Sequence, residues 1–130
     1  MCGIVGYVGS KPVIDILLNG LSKLEYRGYD SSGIAVNGEK GIWLCKSAGS
    51  LSHLEKKLNQ SAPPLSSVGI GHTRWATHGK ATDLNAHPFL SADGMFAVAH
   101  NGIIENYTGL KAFLSEKGFS FVSDLSLIHI

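Results

Sequence analysis

Cys2 raises the first chemical question. It directly follows Met1, and a side chain this small in second position permits removal of the initiator methionine. That removal leaves a thiol and a free α-amine on one residue. The amine has an ordinary pKa of about 7.7–8.0 and the thiol about 8.5, so near neutrality the amine can take the thiol proton directly or through one water. Nucleophile and base then come from a single residue, as with N-terminal threonine nucleophiles. Gly3 leaves the backbone around the thiol uncrowded. The alternative is a small hydrophobe at a strand start.

Asn101-Gly102 closes an apolar run. An Asn amide beside an unobstructed Gly N–H supplies two donors for a forming oxyanion. Asn-Gly is also a strong hairpin-turn signal, although Ile103-Ile104-Glu105-Asn106 does not alternate like a return strand. Arg74-Trp75-Ala76-Thr77-His78-Gly79 opens a long polar loop. There Arg74 suits a substrate carboxylate, Thr77 and His78 add donors, and Trp75 offers a flat wall, or the segment is a solvated loop with its Trp packed beneath. Tyr26-Arg27-Gly28-Tyr29-Asp30-Ser31-Ser32 either lines a site or terminates a helix and satisfies a turn. The 6 histidines show no metal-ligand spacing, so no metal is expected. No phosphate-binding glycine motif is present either. Cys45 falls in an apolar strand pattern and reads as core.

The elements that must position these residues follow from periodicity. Ile4–Val8 reads as a buried strand, and Pro12 as the first turn of a helix with Val13, Ile16, Leu17, Leu21 and Leu24 on one face and Gly28 at its end. Gly33–Val36 and Ile42–Cys45 read as strands joined by the turn 37–41. Leu51, Leu54 and Leu58 mark a second helix, with Ser50 as its cap. Val68–His72 reads as a strand and 73–88 as a long loop. Met95–His100 reads as a strand buried on both faces. Asn106 caps a third helix carrying Leu110, Phe113 and Leu114, and Phe119–Val122 begins a further strand. The mixture predicts an α+β or α/β layered domain.

Composition bounds the rest. The chain has 130 residues, enough for one ordinary domain, and 44% of them are hydrophobic against 16% charged, which argues against disorder. Net charge is +1, so neither nucleic acid nor an anionic membrane is expected as a partner. The 16 glycines exceed the usual ~7% of a chain, and many backbone positions are expected to need close approach or positive φ. No run reaches the ~18 apolar residues of a membrane span, and the N-terminus lacks the form of a signal peptide. With only Cys2 and Cys45, a cytoplasmic protein with reduced thiols is expected.

Taken together, five segments carry a resemblance: 1–6, 24–31, 71–79, Asn85-Ala86-His87-Pro88 and His100-Asn101-Gly102-Ile103-Ile104-Glu105-Asn106. Over residues 1 to about 124 the chain resembles the glutaminase domain of class II glutamine amidotransferases, which are N-terminal-nucleophile hydrolases. The forms Glu25-Tyr26-Arg27-Gly28-Tyr29-Asp30-Ser31 and Arg74-Trp75-Ala76-Thr77-His78-Gly79 narrow it to the fructose-6-phosphate aminotransferase (isomerizing) branch. The resemblance implies an αββα sandwich of two antiparallel sheets between helical layers, of which this chain covers about the first half. It implies that Cys2 attacks the side-chain amide of L-glutamine to release ammonia, with Asn101 and Gly102 as oxyanion hole. By the same resemblance, Arg74 clamps the substrate α-carboxylate, Thr77 and His78 belong to the glutamine loop, Trp75 gates ammonia, and Arg27 lies near the catalytic N-terminus. No cofactor is implied.

The branch passes its ammonia to isomerase domains that convert fructose 6-phosphate to glucosamine 6-phosphate, and its full-length members are homo-oligomeric. Those domains have no counterpart in residues 1–130. Residues 125–130 do not match the family, and Ser126 stands where it has an aspartate for the substrate α-amino group. Neutral Ser cannot make the charge-assisted bond a carboxylate makes. Little glutaminase activity and marginal stability are therefore expected of the isolated chain. The alternatives are another class II amidotransferase, such as an amidophosphoribosyltransferase, or a non-catalytic remnant.

Overall fold

The computed structural model describes residues 1–77, 79–121 and 123. Its centre is an antiparallel sheet of β1 (Gly3–Val8), β2 (Ser31–Gly38), β3 (Gly41–Ala48) and β4 (Val68–Arg74). The strand order is β1-β4-β2-β3. β2 and β3 form the expected hairpin, with Gly38 paired to Gly41 across its tip. Two helices, α1 (Val13–Ser22) and α2 (Leu51–Ser61), pack on one face of this sheet.

The core lies in that layer. Spacings of three and four bring Val13, Leu17 and Leu21 of α1 and Leu51, Leu54 and Leu58 of α2 onto buried faces. They meet Ile34, Val36 and Cys45 of the sheet, with Val5, Tyr7 and Trp43 packed around them. Each fully buried Leu contributes roughly 1.5–3 kcal/mol. Cys45 is core as expected, and burial pushes its thiol pKa up.

β1 is an edge strand, not a buried one. Its side chains alternate, Val5 and Tyr7 facing the helices while Ile4 is 45% and Val8 80% exposed. The helix α1 ends at Ser22, before Gly28, and a 3-10 turn at Glu25–Arg27 intervenes. Ser50 occupies the N-cap position of α2, but its hydroxyl bonds Ser52 and His53 instead of the helix N–H groups. Glu25 caps in its place, its carboxylate accepting from the Leu51 N–H at 2.9 Å. The helix α3 (Tyr107–Glu116) starts after Asn106 without a side-chain cap bond, and Phe113 remains 53% exposed.

The expected strand Met95–His100 is reduced to β6 (Ala97–Val98), paired with β5 (Phe89–Leu90). Met95 and Phe96 are 69% and 71% exposed, so this run is not buried on both faces. An apolar run is buried only where other elements cover it, and among the described residues no third strand extends this ladder. The ladder stands over the sheet face opposite the helices, across a cleft of about 540 Å³ lined by Gly6, Val8, Ala35, Ile70, Met95 and Ala97. The architecture is thus α+β: a helical layer, a four-stranded sheet and two strands of a second, a partial sandwich. Residues 119–121 form no strand. His78, Val122 and residues 124–130, with Ser126 and the divergent tail, lie outside the described residues.

The long loop after β4 is ordered by its own polar contacts. Asn85 Nδ2 donates to the Lys80 carbonyl at 3.1 Å, and Lys46 Nζ to the Leu84 carbonyl at 3.1 Å. The Asp83 carboxylate takes the Ala48 N–H at 2.6 Å and pairs with Lys57. Lys57 and the Ala48 N–H hold the Asp83 carboxyl below the usual range. These bonds tie the loop at Asp83 to β3 and α2.

Candidate active site

Cys2 precedes β1, half-buried and unpaired to any other cysteine. The antiparallel register sets Gly3 opposite Thr73, which brings the N-terminus beside the end of β4. The backbone leaving β4 then wraps the thiol. The Trp75 N–H donates to Cys2 Sγ at 3.3 Å, and the Trp75 carbonyl oxygen lies 3.7 Å from the sulfur. Trp75 itself is 40% exposed, its ring edge-on to Tyr29 with centroids 5.2 Å apart.

The path of Arg74-Trp75-Ala76 is fixed by Tyr26–Ser32, and here the turn reading and the site reading of that motif meet. The Asp30 N–H donates to the Arg74 carbonyl at 3.1 Å, and the Asp30 carboxylate accepts from the Ala76 N–H at 2.6 Å. Gly28 runs against the same segment. A Cβ there would lie 2.8 Å from the Arg74 carbonyl carbon and 3.0 Å from the Trp75 nitrogen.

Asn101 reaches the N-terminus from 99 positions along the chain. Its amide Nδ2 donates to the Cys2 carbonyl oxygen at 3.3 Å, and its Oδ1 lies 2.8 Å from His72 Nε2. Asn101-Gly102 forms a bend leading to α3, not the tip of a hairpin. Gly102 has φ +147°, a conformation L side chains rarely adopt.

Arg74 is only 4% exposed. Its Nη1 donates to the Lys80 carbonyl at 3.0 Å and its Nη2 to the Gly79 carbonyl at 3.2 Å. Burial lowers its pKa, and the neighbouring Cys2 and Asp30 oppose the shift. Arg27 lies at the N-terminus, with Nη2 3.4 Å from the Met1 sulfur. Thr77 is exposed two residues beyond Trp75, and His78 lies outside the described residues.

Sequence reasoning thus named Cys2, Trp75, Asn101, Arg27 and Arg74, which the structure gathers around the N-terminus. It read Gly28 as a helix end and left Asp30 between a site and a turn, and it assigned no role to His72 and His87. His72 is fully buried, and its ring stacks on His87 with centroids 4.5 Å apart. Burial pushes the His72 pKa down to about 4 and that of His87 to about 3. The signal for His72 lay in the β4 register, which points it to the face away from the helices.

No protein-family model matches the chain. Curated relatives do. A protein of Streptomyces coelicolor named glutamine–fructose-6-phosphate aminotransferase (isomerizing) is 53% identical over 124 residues, 95% of this chain and 20% of that protein. Namesakes from Gloeobacter violaceus and Clostridium perfringens are 55% and 56% identical over the same coverage. The chain therefore spans about 20% of the length of the curated relatives it matches, at their N-terminal end. Among solved structures, the glutamine phosphoribosylpyrophosphate amidotransferase of B. subtilis superposes with a TM-score of 0.75 at 28% identity, covering 96% of this chain and 27% of that one. A structure described as the allosteric regulatory enzyme of purine biosynthesis superposes at 0.80, also at 28% identity, over 95% of this chain and 27% of that one. In sequence the chain is the counterpart of the N-terminal part of the glutamine–fructose-6-phosphate aminotransferases, and in fold it matches the class II glutamine amidotransferases.

Proposed function

We propose that Cys2, once Met1 is removed, is the nucleophile of a glutamine-hydrolysing site. The observation that carries this reading is the convergence on Cys2 of the Trp75 N–H at its sulfur and the Asn101 amide at its carbonyl oxygen. In the reaction the freed α-amine takes the thiol proton, and Sγ attacks the side-chain carbonyl carbon of L-glutamine. The carbonyl π electrons move to oxygen, where a second N–H of Asn101 and the Gly102 N–H receive the charge. Collapse breaks the C–N bond, and the proton held by the amine leaves with ammonia. Water, deprotonated by the same amine, then cleaves the thioester to glutamate and restores the thiol.

Arg74 supplies the cation for the substrate α-carboxylate, and Thr77 and His78 are the further glutamine-binding residues that the resemblance implies. Trp75, exposed above the thiol, suits a wall that keeps ammonia from water. Arg27 touches the Met1 sulfur, so it stands near the N-terminus from which Met1 is removed. In the complete protein the ammonia serves conversion of fructose 6-phosphate to glucosamine 6-phosphate. Identities of 52–56% to proteins named for that reaction, against 28% to the phosphoribosylpyrophosphate enzyme, support this acceptor over a phosphoribosyl one. Cytoplasmic residence and self-association of the complete enzyme belong to the same reading. The test is alkylation by a diazoketone isostere of L-glutamine. Cys2 is expected to be labelled, protected by excess L-glutamine, and Cys2→Ser to abolish the adduct. An adduct that glutamine does not slow would refute substrate recognition.

A further inference from the structure

We infer that His72 is a positioning residue: its Nε2–H donates to Asn101 Oδ1 and thereby holds the amide nitrogen of Asn101 toward Cys2. The catalytic consequence rests on the glutaminase reading above. The geometry itself does not.

The assignment of atoms follows from what each partner can do. A backbone carbonyl only accepts, so the Asn101 atom 3.3 Å from the Cys2 carbonyl oxygen is the NH2 group. The atom 2.8 Å from His72 Nε2 is then the amide oxygen, which also only accepts. His72 must therefore carry its proton on Nε2, leaving Nδ1 without one. Reversing the amide would oppose two oxygen lone pairs at Cys2. His72 Nδ1 is buried without a hydrogen-bond partner, so a second proton there would have no acceptor.

The imidazole is itself held. It is fully buried on β4 and stacked on the His87 ring at an interplanar angle of 19°. His87 is fixed in turn, its Nδ1 accepting from the His100 N–H at 3.3 Å. Asn101, by contrast, is exposed on a bend. The two bonds that define its amide come from the Cys2 carbonyl and His72. A donor on the buried ring thus sets which face of a mobile-type side chain meets the nucleophile. One amide hydrogen stays on the Cys2 carbonyl, and the other is left for an oxyanion. Desolvation lowers the His72 pKa to about 4, which keeps the ring neutral near pH 7.

Two independent measurements test it, the tautomer on the 130-residue chain and the alkylation on a complete enzyme carrying this site. First, nitrogen-15 NMR of the histidine rings is expected to show His72 as the neutral Nε2–H tautomer at neutral pH. An Nδ1–H tautomer overturns the proposal whatever the chain's activity. Second, Cys2 alkylation is compared for the diazoketone isostere of glutamine, whose carbonyl must meet the Asn101 donor, and for iodoacetamide, which needs no oxyanion site. Loss of the positioned donor in His72→Leu is expected to lower the ratio of the two rates roughly tenfold or more. His72→Gln, which keeps an N–H at about the same reach, recovers most of it. In an Asn101→Ala background His72→Leu has no further effect on the ratio. An equal fall in both rates, failure of Gln to rescue, or additive losses would each overturn the proposal. If the unaltered complete enzyme takes no glutamine-protected label, the glutaminase reading fails, and the tautomer alone decides the His72–Asn101 pairing.

Discussion

The Trp75 backbone N–H points at the sulfur of Cys2 from 3.3 Å, although the two residues are 73 positions apart. The contact exists because β1 pairs with β4 in a register that sets Gly3 against Thr73. Sheet formation and assembly of the site are therefore one event. A strand slip of one residue would move every side chain of β1 to the other face and the thiol away from Trp75.

Asn101→Ala removes the amide that reaches both Cys2 and His72. Glutamine hydrolysis by a complete enzyme carrying this site is expected to fall by about 10²–10³ in kcat, as for loss of an oxyanion donor. KM is expected to change far less. Steady-state glutamate release checks both.

Gly28→Ala tests the packing that fixes the thiol's surroundings. Gly28 has φ −169°, so the cost is steric and not conformational. Its new methyl would lie 2.8 Å from the Arg74 carbonyl carbon. The expected loss is about 1–3 kcal/mol of stability in denaturant titration, with a changed rate of Cys2 alkylation.

Leu54→Ala probes the helical layer far from the site. Leu54 is fully buried between α2 and the sheet. A loss of about 2–5 kcal/mol is expected from thermal or denaturant unfolding.

His72 and His87 make the fold acid-sensitive. Their pKa values are lowered to about 4 and about 3, first by burial and then by neighbouring positive groups, Arg74 for His72, and His72, Arg74, Lys46 and His100 for His87; the hydrogen bond to Asn101 opposes the shift at His72. In the unfolded chain both titrate near 6.5. Below that value the unfolded state binds more protons, so stability present above pH 6.5 is lost as the pH falls toward about 4. The slope is up to about 1.4 kcal/mol per pH unit for each ring. Denaturant midpoints between pH 7 and pH 5 measure it, and His87→Gln should flatten the curve.

Much of this arrangement was legible before the structure. The spacing of Val13, Leu17 and Leu21 and of Leu51, Leu54 and Leu58 located both core helices, because a helix face needs only local periodicity. Cys2, Trp75 and Asn101 each left a bland reading open on its own, and only the resemblance carried by the five segments grouped them. The structure sets them in contact. Burial of Met95–His100 was not legible, since it depends on neighbours and not on the run itself. The capping bond of α2 was missed for the same reason, although Ser50 stands at the expected N-cap position. Ser50 has the right type, but Glu25 reaches the Leu51 N–H from 26 residues away. Asp30 stayed open and His72 went unassigned because their partners, Ala76 and Asn101, are joined to them only by the folded register.

The most direct measurement is peptide mass spectrometry of a complete enzyme carrying this site after treatment with the diazoketone isostere of L-glutamine. Cys45, buried in the core, serves as the internal control. The nucleophile assignment calls for Met1 to be absent, one adduct to form on Cys2, that adduct to be suppressed by L-glutamine, and Cys45 to stay unmodified. A retained Met1 with full labelling of Cys2, or an adduct indifferent to L-glutamine, would contradict it.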